Sequence, residues 1–570
     1  MRETDANLEL MSEVLGVSQT TARVMANRGI RTKNTAHAFL SASLESLHPF
    51  GGMKDSLRAL RHIHDAIHAG QKITIFGDYD ADGICSTVIL YKTLLQLGAN
   101  ACYYIPHRIK EGYGLNNKAI DIIAQGGTTL IIALDNGISA VQEVDYAKSL
   151  GITTIIVDHH EPGSTLPHAA AIIDPKQEDC TYPFKECCAA GLTFKLAHAL
   201  HDYMGKPFTL RDELLLLACI GTVCDVVQLR DENRAIVSLG LVVVNANKFI
   251  NPGIGTLLTA RNYLDKPLDA FSMGYVLGPC INAAGRLASA NIAVDLLLAS
   301  DMPTRINLAH KLIDLNEERK QLTADCTQRI LSKISDDKVI VIVDEATHES
   351  IAGIVAGRIR EATMRPTIVF TRGEDGMKGS GRSPRCYNIF EALNANKHLF
   401  TRFGGHAMAA GISMQAENIE ELRHALNRDC KLTGDDFVST VDIDGILPMH
   451  EITLPLADEL TRLAPFGTGN HEPLFATYGV KVESIRIIDQ KKTLIFAFSQ
   501  PGLRSSVKGI AFGLNEKFCT AIAESDKENI IMDIVYAIEQ NVYNGHTSVQ
   551  LRIKDFVIAG NKGAGENGDK

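Results

Sequence analysis

Ile73-Thr74-Ile75-Phe76-Gly77-Asp78-Tyr79-Asp80-Ala81-Asp82-Gly83 joins a short, mainly apolar run to a loop with aspartates at three alternate positions. Two further segments repeat the arrangement. Thr129-Leu130-Ile131-Ile132-Ala133-Leu134 runs into Asp135-Asn136-Gly137, and Ile152-Thr153-Thr154-Ile155-Ile156-Val157 runs into Asp158-His159-His160. Runs this short and apolar read as strands buried on both faces, as in a parallel sheet covered by helices. Ligands bind outside the carboxyl ends of such strands. Three strand ends therefore aim carboxylates and imidazoles at one crevice. Hard oxygen donors with one or two imidazoles suit Mn2+ or Mg2+, and a bridging Asp would let two ions sit side by side.

Around this core the pattern alternates regularly: strand 73–76, helix 83–98, strand 101–105, helix 116–125, strand 129–134, helix 138–149, then strands 152–157 and 169–173. Such alternation predicts an α/β fold with a parallel, doubly wound sheet. A helical region follows over 188–247. Pro303 opens a long amphipathic stretch to about Ser335 that reads as a helix bridging two lobes. Lys338-Val339-Ile340-Val341-Ile342-Val343 begins a second, smaller α/β unit with helix 351–362, strand 367–370 and two Gly-rich polar segments at 379–383 and 404–411. Beyond about 440, five or six short strands in about 90 residues predict an OB-type β-barrel. The expected domains are a helical segment at 1–50, the first α/β unit at 51–300, a linking helix at 301–336, the second unit at 337–440, the β-domain at 441–559 and a disordered tail at 560–570.

At 570 residues the chain is too long for one core. No apolar run reaches the roughly 18 residues that span a bilayer, so no membrane association is expected. The first residues lack a basic and then apolar leader, which reads as an unexported protein. The 12 cysteines show no CxxC pair, and several sit in apolar stretches, as in a reducing cytoplasm. Cys187-Cys188 reads as inert filler. A formal charge of −10 argues against nucleic-acid binding on its face. A carboxylate-lined metal site inflates the acidic count, however, and its ions return positive charge locally.

Asp78, Asp80 and Asp82 would repel one another without a cation among them; turn or N-cap chemistry explains one such Asp, and Asp82-Gly83 would fit it. Of the adjacent imidazoles, one can ligate a metal while the other meets a phosphate, with Asp158 orienting them. Asp225 ends an apolar helix and reads equally as a turn residue or a ligand. Arg286 in Asn282-Ala283-Ala284-Gly285-Arg286, Arg382 in Ser380-Gly381-Arg382-Ser383, and His406 after Gly404-Gly405 are candidate phosphate contacts.

In this order the segments resemble the motifs of the DHH phosphoesterases with their DHHA1 domain. Asp78 to Gly83, Leu134 to Ile138 and Asp158-His159-His160 resemble the first three, and Gly221-Thr222-Val223-Cys224-Asp225-Val226-Val227 the fourth, with Cys224 where Ala is commoner. Asn282 to Leu287 and Gly404 to Gly411 resemble later ones, and Pro465 to Pro473 resembles the lead into an OB domain. The resemblance covers about 50–558. It implies a parallel-sheet DHH domain, a smaller DHHA1 domain joined to it by the long helix, and a C-terminal OB-type barrel. It further implies a single-stranded-DNA-specific 5′→3′ exonuclease that releases 5′-mononucleotides in DNA repair and recombination.

The same resemblance makes Asp80, Asp82, Asp135, His159 and Asp225 ligands of two Mn2+ or Mg2+ ions, with Asp135 bridging. Asp78 joins them on the charge argument above. His160 would contact the scissile phosphate beside Asp158. Arg286, Arg382 and His406, with Asn282, Ser380, Ser383, Gly404 and Gly405 around them, would bind DNA phosphates or the 5′ end. Implied partners are single-stranded DNA, a DNA helicase and a single-strand-binding protein, with the chain a monomer. In the β-domain Tyr478, Phe496, Phe498 and Phe512 are available for base stacking or core filling. Two competing readings are a small-substrate DHH phosphatase or oligoribonuclease, which usually lacks the OB domain, and a non-catalytic replication scaffold, which would have lost ligand positions that are all filled here.

Overall fold

The apolar runs become strands of a five-stranded parallel sheet: β1 (Lys72–Phe76), β2 (Asn100–Tyr104), β3 (Leu130–Leu134), β4 (Thr153–Val157) and β5 (Ala171–Ile173), in the order β2-β1-β3-β4-β5. The computed structural model describes residues 7–373, 376–488, 493–503, 505–513, 518–520 and 530–558; the expected tail at 560–570 lies outside these. Every residue of β3 and β5 is buried, as expected for strands covered on both faces. Alternate side chains point to opposite faces. Ile73, Ile75, Leu130, Ile132, Leu134, Ile155 and Val157 fill one core, and Phe76, Ile131, Ala133 and Ile156 fill the other. Each of these side chains larger than alanine contributes about 1.5–3 kcal/mol by leaving water.

The chain leaves β1 toward β2 on one side and returns to β3 on the other. The switch point thus falls between β1 and β3, where Asp78 to Asp82 and Asp135 emerge. Helix Ala81–Gln96 starts there, and helices Ala189–Tyr203 and Arg211–Cys224 pack upon it.

The bridging stretch is one helix, Met302–Leu331, started by the Asp301 carboxylate on the Thr304 N–H and by Pro303 in its first turn. Its 30 residues span about 45 Å. It packs on helices Pro252–Ala260, Gly278–Leu287 and Asn291–Leu298 of the first lobe and on Ala352–Thr363 of the second.

The second lobe is a mixed sheet, β6 (Ile340–Val343), β7 (Thr367–Gly373), β8 (Gly376–Arg382), β9 (Arg402–His406) and β10 (Ala409–Met414), ordered β6-β7-β8-β10-β9. Only β6 and β7 run parallel. The Gly-rich polar segments therefore lie mainly in strands β8, β9 and β10. Close packing accounts for Gly379, where a Cβ would stand 2.5 Å from the Phe370 ring, and for Gly381, where one would stand 2.7 Å from Ile389 Cδ1.

Contacts divide the described residues into two units, one within 48–225 and 239–440, the other within 7–47, 226–238 and 441–558. In the latter, β11 (Gly445–Ile446), β12 (Phe475–Ile488), β13 (Thr493–Ser499), β14 (Val507–Phe512), β15 (Ile531–Tyr543) and β16 (His546–Ile558) form one sheet. A β12–β15 pairing brings its ends together. The result is an OB-type domain whose sheet is a partial ring rather than the clear barrel expected. The β14–β16 pairing covers only 508–511, and a register shift between Thr477 and Val480 interrupts β12–β15. The N-terminal helices share its core: Val24, Met25 and Ile30 pack with Phe496 and Phe498, and buried Arg28 bonds Asp444 and Asn470. Phe496 and Phe498 are thus core, whereas Tyr478 and Phe512 are more than half exposed. Among the described residues no helix is long and apolar enough to cross a membrane.

Candidate metal centre

Asp80 caps helix Ala81–Gln96: its Oδ1 accepts the N–H groups of Asp82 (3.0 Å) and Gly83 (3.1 Å). The capping role expected of the Asp82-Gly83 junction therefore belongs to Asp80. Asp82 lies buried within the first turn. Its two oxygens accept from Ala189 N (2.8 Å) and Ala190 N (2.9 Å) at the start of helix Ala189–Tyr203, so two helix N-termini converge on one carboxylate. Helix Arg211–Cys224 crosses directly above. A Cβ on Gly221 would stand 2.7 Å from Asp82 Oδ1 and 2.5 Å from Ala190 Cβ. Four residues later that helix delivers Asp225 as its C-cap.

Asp135 follows β3 with φ +62, a left-handed backbone that Asp tolerates better than most residues, and Asn136 ties the ends of β3 and β1 by donating to Leu134 O (2.8 Å) and Phe76 O (3.4 Å). His159 Nε2 lies 3.1 Å from Asp135 Oδ1, 3.7 Å from Asp225 Oδ2 and 3.9 Å from Asp82 Oδ2. Asp158 faces the other way. Its Oδ2 accepts Ile138 N (3.0 Å), and its Oδ1 accepts His159 N (2.8 Å) and pairs with His160 Nδ1 at 2.7 Å. Three sets of donor atoms each gather within 4.8 Å: Asp82, His159 and Asp225; Asp78, Asp80 and Asp135; and Asp135, His159 and His160.

The electrostatics are those of a crowded anionic pocket. Burial, and then mutual repulsion, push Asp78 and Asp135 well above the usual carboxylate range, Asp82 to about 6 and Asp225 to about 9. Burial brings His159 down to about 3, which leaves it a neutral nitrogen donor. Burial works against a charge on His160 too, but the Asp158 bond and charge outweigh it and hold His160 at about 9. Asp78 Oδ1 and Asp225 Oδ2 are buried with no hydrogen-bond partner. Orphaned carboxylate oxygens, a neutral imidazole and surplus negative charge together fit hard divalent cations.

The expected phosphate contacts fall into groups. Asn282 Oδ1 accepts Ala81 N (2.8 Å), which fixes the aspartate loop. Arg286 donates to Ser350 O (2.8 Å) and is brought down to about 10 by burial, with Arg108 and Arg319 crowding it. Three residues after Ser350, Gly353 faces Arg382 Nη2 and Ser380 Oγ. Arg286, Arg382 and Ser380 thus bracket the N-terminus of helix Ala352–Thr363. Arg382, Ala409 and His406 are in register across β8, β10 and β9, as are Ser380, Gly411 and Gly404. A Cβ on Gly404 or Gly411 would meet nothing within 4 Å, so that face is an open floor between Arg382 and His406. Gly405 alternates away from it. Ser383 departs from expectation: it is buried and its hydroxyl donates to Tyr387 O, a contact that secures the strand end instead of facing an anion.

Four residues escape the sequence reading. Tyr113 donates to Asp135 O (2.7 Å) and stands 3.3 Å from His160 Nδ1. Arg108 lies 4.5 Å over the Tyr79 ring beside Asp78. Asp174, buried after β5 with Oδ2 unpartnered, is pushed to about 7 by burial. Lys176 pairs with Glu161 at 3.0 Å and its charge reaches His159 and Asp225. Arg108 and Asp174 follow β2 and β5, so the strand-end rule applied to all five strands finds both.

Residues 72–222 match the DHH family, N-terminal domain; 336–432 match the DHHA1 domain; and 443–555 match the RecJ OB domain. The chain is 36% identical to the single-stranded-DNA-specific exonuclease RecJ of Bacillus subtilis, over 98% of this chain and 70% of that protein. Against the Escherichia coli protein of the same name the identity is 32%, over 97% and 98%. The fold matches crystal structures of Thermus thermophilus RecJ. With Mn2+ the TM-score is 0.81 at 29% identity, covering 96% of this chain and 77% of that one; with Mg2+ it is 0.75 at 27%, covering 96% and 76%.

Proposed function

The chain belongs to the RecJ family of single-stranded-DNA-specific exonucleases, and on that footing we propose how its residues divide the work of a divalent-metal-dependent hydrolase. Asp80, Asp82, Asp135, His159 and Asp225, with Asp78 beside them, would hold two Mn2+ or Mg2+ ions. The carrying observation is the pair of donor sets joined through the 3.1 Å approach of His159 to Asp135, together with the unpartnered oxygens of Asp78 and Asp225. Bound there, the ions would supply charge neutralisation for the attacking and leaving oxygens and a lowered pKa for a water.

The protein's own groups do the rest. His160, kept cationic by Asp158, meets the scissile phosphate from the exposed side of the pocket. Arg108 supplies a second cation at the same rim. Arg286, Arg382 and Ser380 around a helix N-terminus form a site for the terminal 5′ phosphate, where Arg108 and Arg319 crowd Arg286, and Arg360 crowds Arg382, until an anion joins them. A terminal-phosphate site next to the metals gives 5′→3′ polarity and release of mononucleotides. Gly404 and His406 line the open floor along which the strand's phosphates lie, and such contacts carry little sequence information. Tyr478 and Phe512 are the OB-domain rings available for stacking on bases. The setting is DNA repair and recombination, with a helicase and a single-strand-binding protein supplying the strand to a monomeric enzyme.

The test is a time course in Mn2+ on single-stranded DNA with a free or a blocked 5′ end, beside the matched blunt duplex. Mononucleotide release from the free single strand alone supports the reading. Degradation from the 3′ end, or equal attack on the duplex, overturns it.

A further inference from the structure

We propose that Phe271 and Tyr275 form a base-stacking platform for the single strand, outside the metal centre and in the same unit. The proposal rests on the exonuclease reading above. The two rings are 58% and 72% exposed, with centroids 4.7 Å apart and planes within 17° of parallel. Here Met273, Val276 and Leu277 on the same turn fill the core, so the aromatic pair is not needed for packing.

The backbone beneath the rings is held from several sides. Phe271 precedes, and Tyr275 lies within, a π-helical turn, Ser272–Leu277. Such turns are uncommon and gather at functional sites. Asp269 caps the turn through Ser272 N (2.8 Å) and Ser272 Oγ (2.7 Å). The turn lies against the end of helix Arg211–Cys224: a Cβ on Gly274 would stand 3.3 Å from Val223, and one on Gly278 2.4 Å from Cys224 Sγ. The next residue of that helix's chain is Asp225. The turn continues directly into helix Gly278–Leu287, which carries Asn282 and Arg286. The platform is thus built on the two segments that present the metal and phosphate residues.

The surroundings favour nucleic acid over protein as the occupant. Lys266 stands 4.1 Å over the Tyr263 ring, and Lys248 donates to the Lys266 carbonyl, so two ammonium groups and a third ring meet on the segment that leads into the pair. Cations interleaved with aromatics are what a single strand uses, phosphates on the lysines and bases on the rings. Two nearly parallel rings continue a base stack, whereas a protein partner calls for a broad apolar patch.

The experiment compares wild type, the Phe271→Ala/Tyr275→Ala double variant and Tyr275→Phe on a length ladder of 5′-phosphorylated oligonucleotides in Mn2+. It is paired with 2-aminopurine fluorescence scanned along the strand. Both side chains are exposed, so an unchanged melting temperature is expected and is checked first. The double variant should raise KM on long strands about tenfold or more, while the shortest oligonucleotide that wild type cleaves is cut within twofold. Tyr275→Phe should behave as wild type, and quenching at one fixed distance from the 5′ end should vanish in the double variant. An unchanged KM on long strands, or an equal loss on short and long ones, overturns the platform while leaving the exonuclease reading intact. Unchanged strand binding with loss of a protein partner overturns it as well. A wild type inert on every strand sinks the exonuclease reading itself.

Discussion

Asp158 Oδ1 stands 2.7 Å from His160 Nδ1, and this pair decides the charge at the mouth of the metal pocket. His160 in the folded chain titrates near 9, above the usual 6.5. Its stabilising contribution is fully present below the unfolded pKa and is lost as pH rises through about 9. Asp158→Asn removes the charge while keeping the shape. The alkaline limb of kcat/KM should then move to lower pH by about one unit or more, with activity lost most at pH 8 and least at pH 6. An unshifted profile would deny His160 a role as a cation.

The metal-free pocket should weaken the fold as pH rises. Asp82 and Asp225 titrate near 6 and 9 when folded, against 3.8 as the reference, so the folded state binds more protons across that window. Stability without metal therefore falls as pH climbs through about 6 and then 9. Mn2+ supplies the missing positive charge and stabilises by about 2.7 kcal/mol at a hundredfold excess over Kd. Melting curves in EDTA and in Mn2+ should diverge more at pH 8 than at pH 6, and a gap independent of pH would contradict this.

Asp135→Asn separates function from folding. Asn tolerates the left-handed φ of +62 at this position and keeps the side-chain volume, so the local backbone survives. Removing a charge from the cluster relieves repulsion among buried carboxylates. The variant should melt no lower than wild type in EDTA, gain little from Mn2+, and lose at least about a hundredfold in exonuclease activity. Unfolding at room temperature would mean that Asp135 is a structural residue.

The sheet was legible because β1, β3 and β4 are apolar on both faces and end in chemistry-bearing residues, so period and punctuation agreed. Asp78, Asp80, Asp82, Asp135, His159, His160 and Asp225 do meet, with Asp158 turned away behind the imidazoles. What the sequence concealed was long-range pairing. Nothing local separates Gly379, pressed on Phe370, from a turn glycine. Arg28 gives no sign of its contact with Asp444, 416 residues away. Arg108 and Asp174 lay within reach, since both follow strands already recognised, but neither sits in a repeated or unusual run.

Gly221→Ala tests the close crossing above Asp82. The added methyl would fall 2.5 Å from Ala190 Cβ and 2.7 Å from Asp82 Oδ1, between a helix and a buried carboxylate with no flexible side chain to give way. Overpacking of this kind costs about 1–3 kcal/mol. A lower melting temperature and a weaker Mn2+ titration should appear together, because the displaced oxygen belongs to a candidate ligand. A stable variant with unaltered Mn2+ affinity would show that the helix can lift away freely.

Arg382→Ala addresses the terminal phosphate. Arg382 Nη2 and Ser380 Oγ face Gly353 at the start of helix Ala352–Thr363, with Arg286 reaching Ser350 from the first lobe. An anion placed there would accept from charged donors and offset what draws Arg382 below its ordinary value, burial first and then the neighbouring Arg360 charge. A charge-assisted bond contributes about 1.5–3 kcal/mol, or roughly ten- to a hundredfold in KM. The loss should appear on 5′-phosphorylated strands and be much smaller on 5′-hydroxyl strands, with kcat for the phosphorylated strand nearly kept, since Arg382 holds the end and takes no part in the bond cleaved. Ser383→Ala, whose hydroxyl serves Tyr387, should leave the ratio between the two strands unchanged and lower only stability. Equal losses on both strands for Arg382→Ala would place the terminal phosphate elsewhere and reduce this cluster to a brace between the lobes.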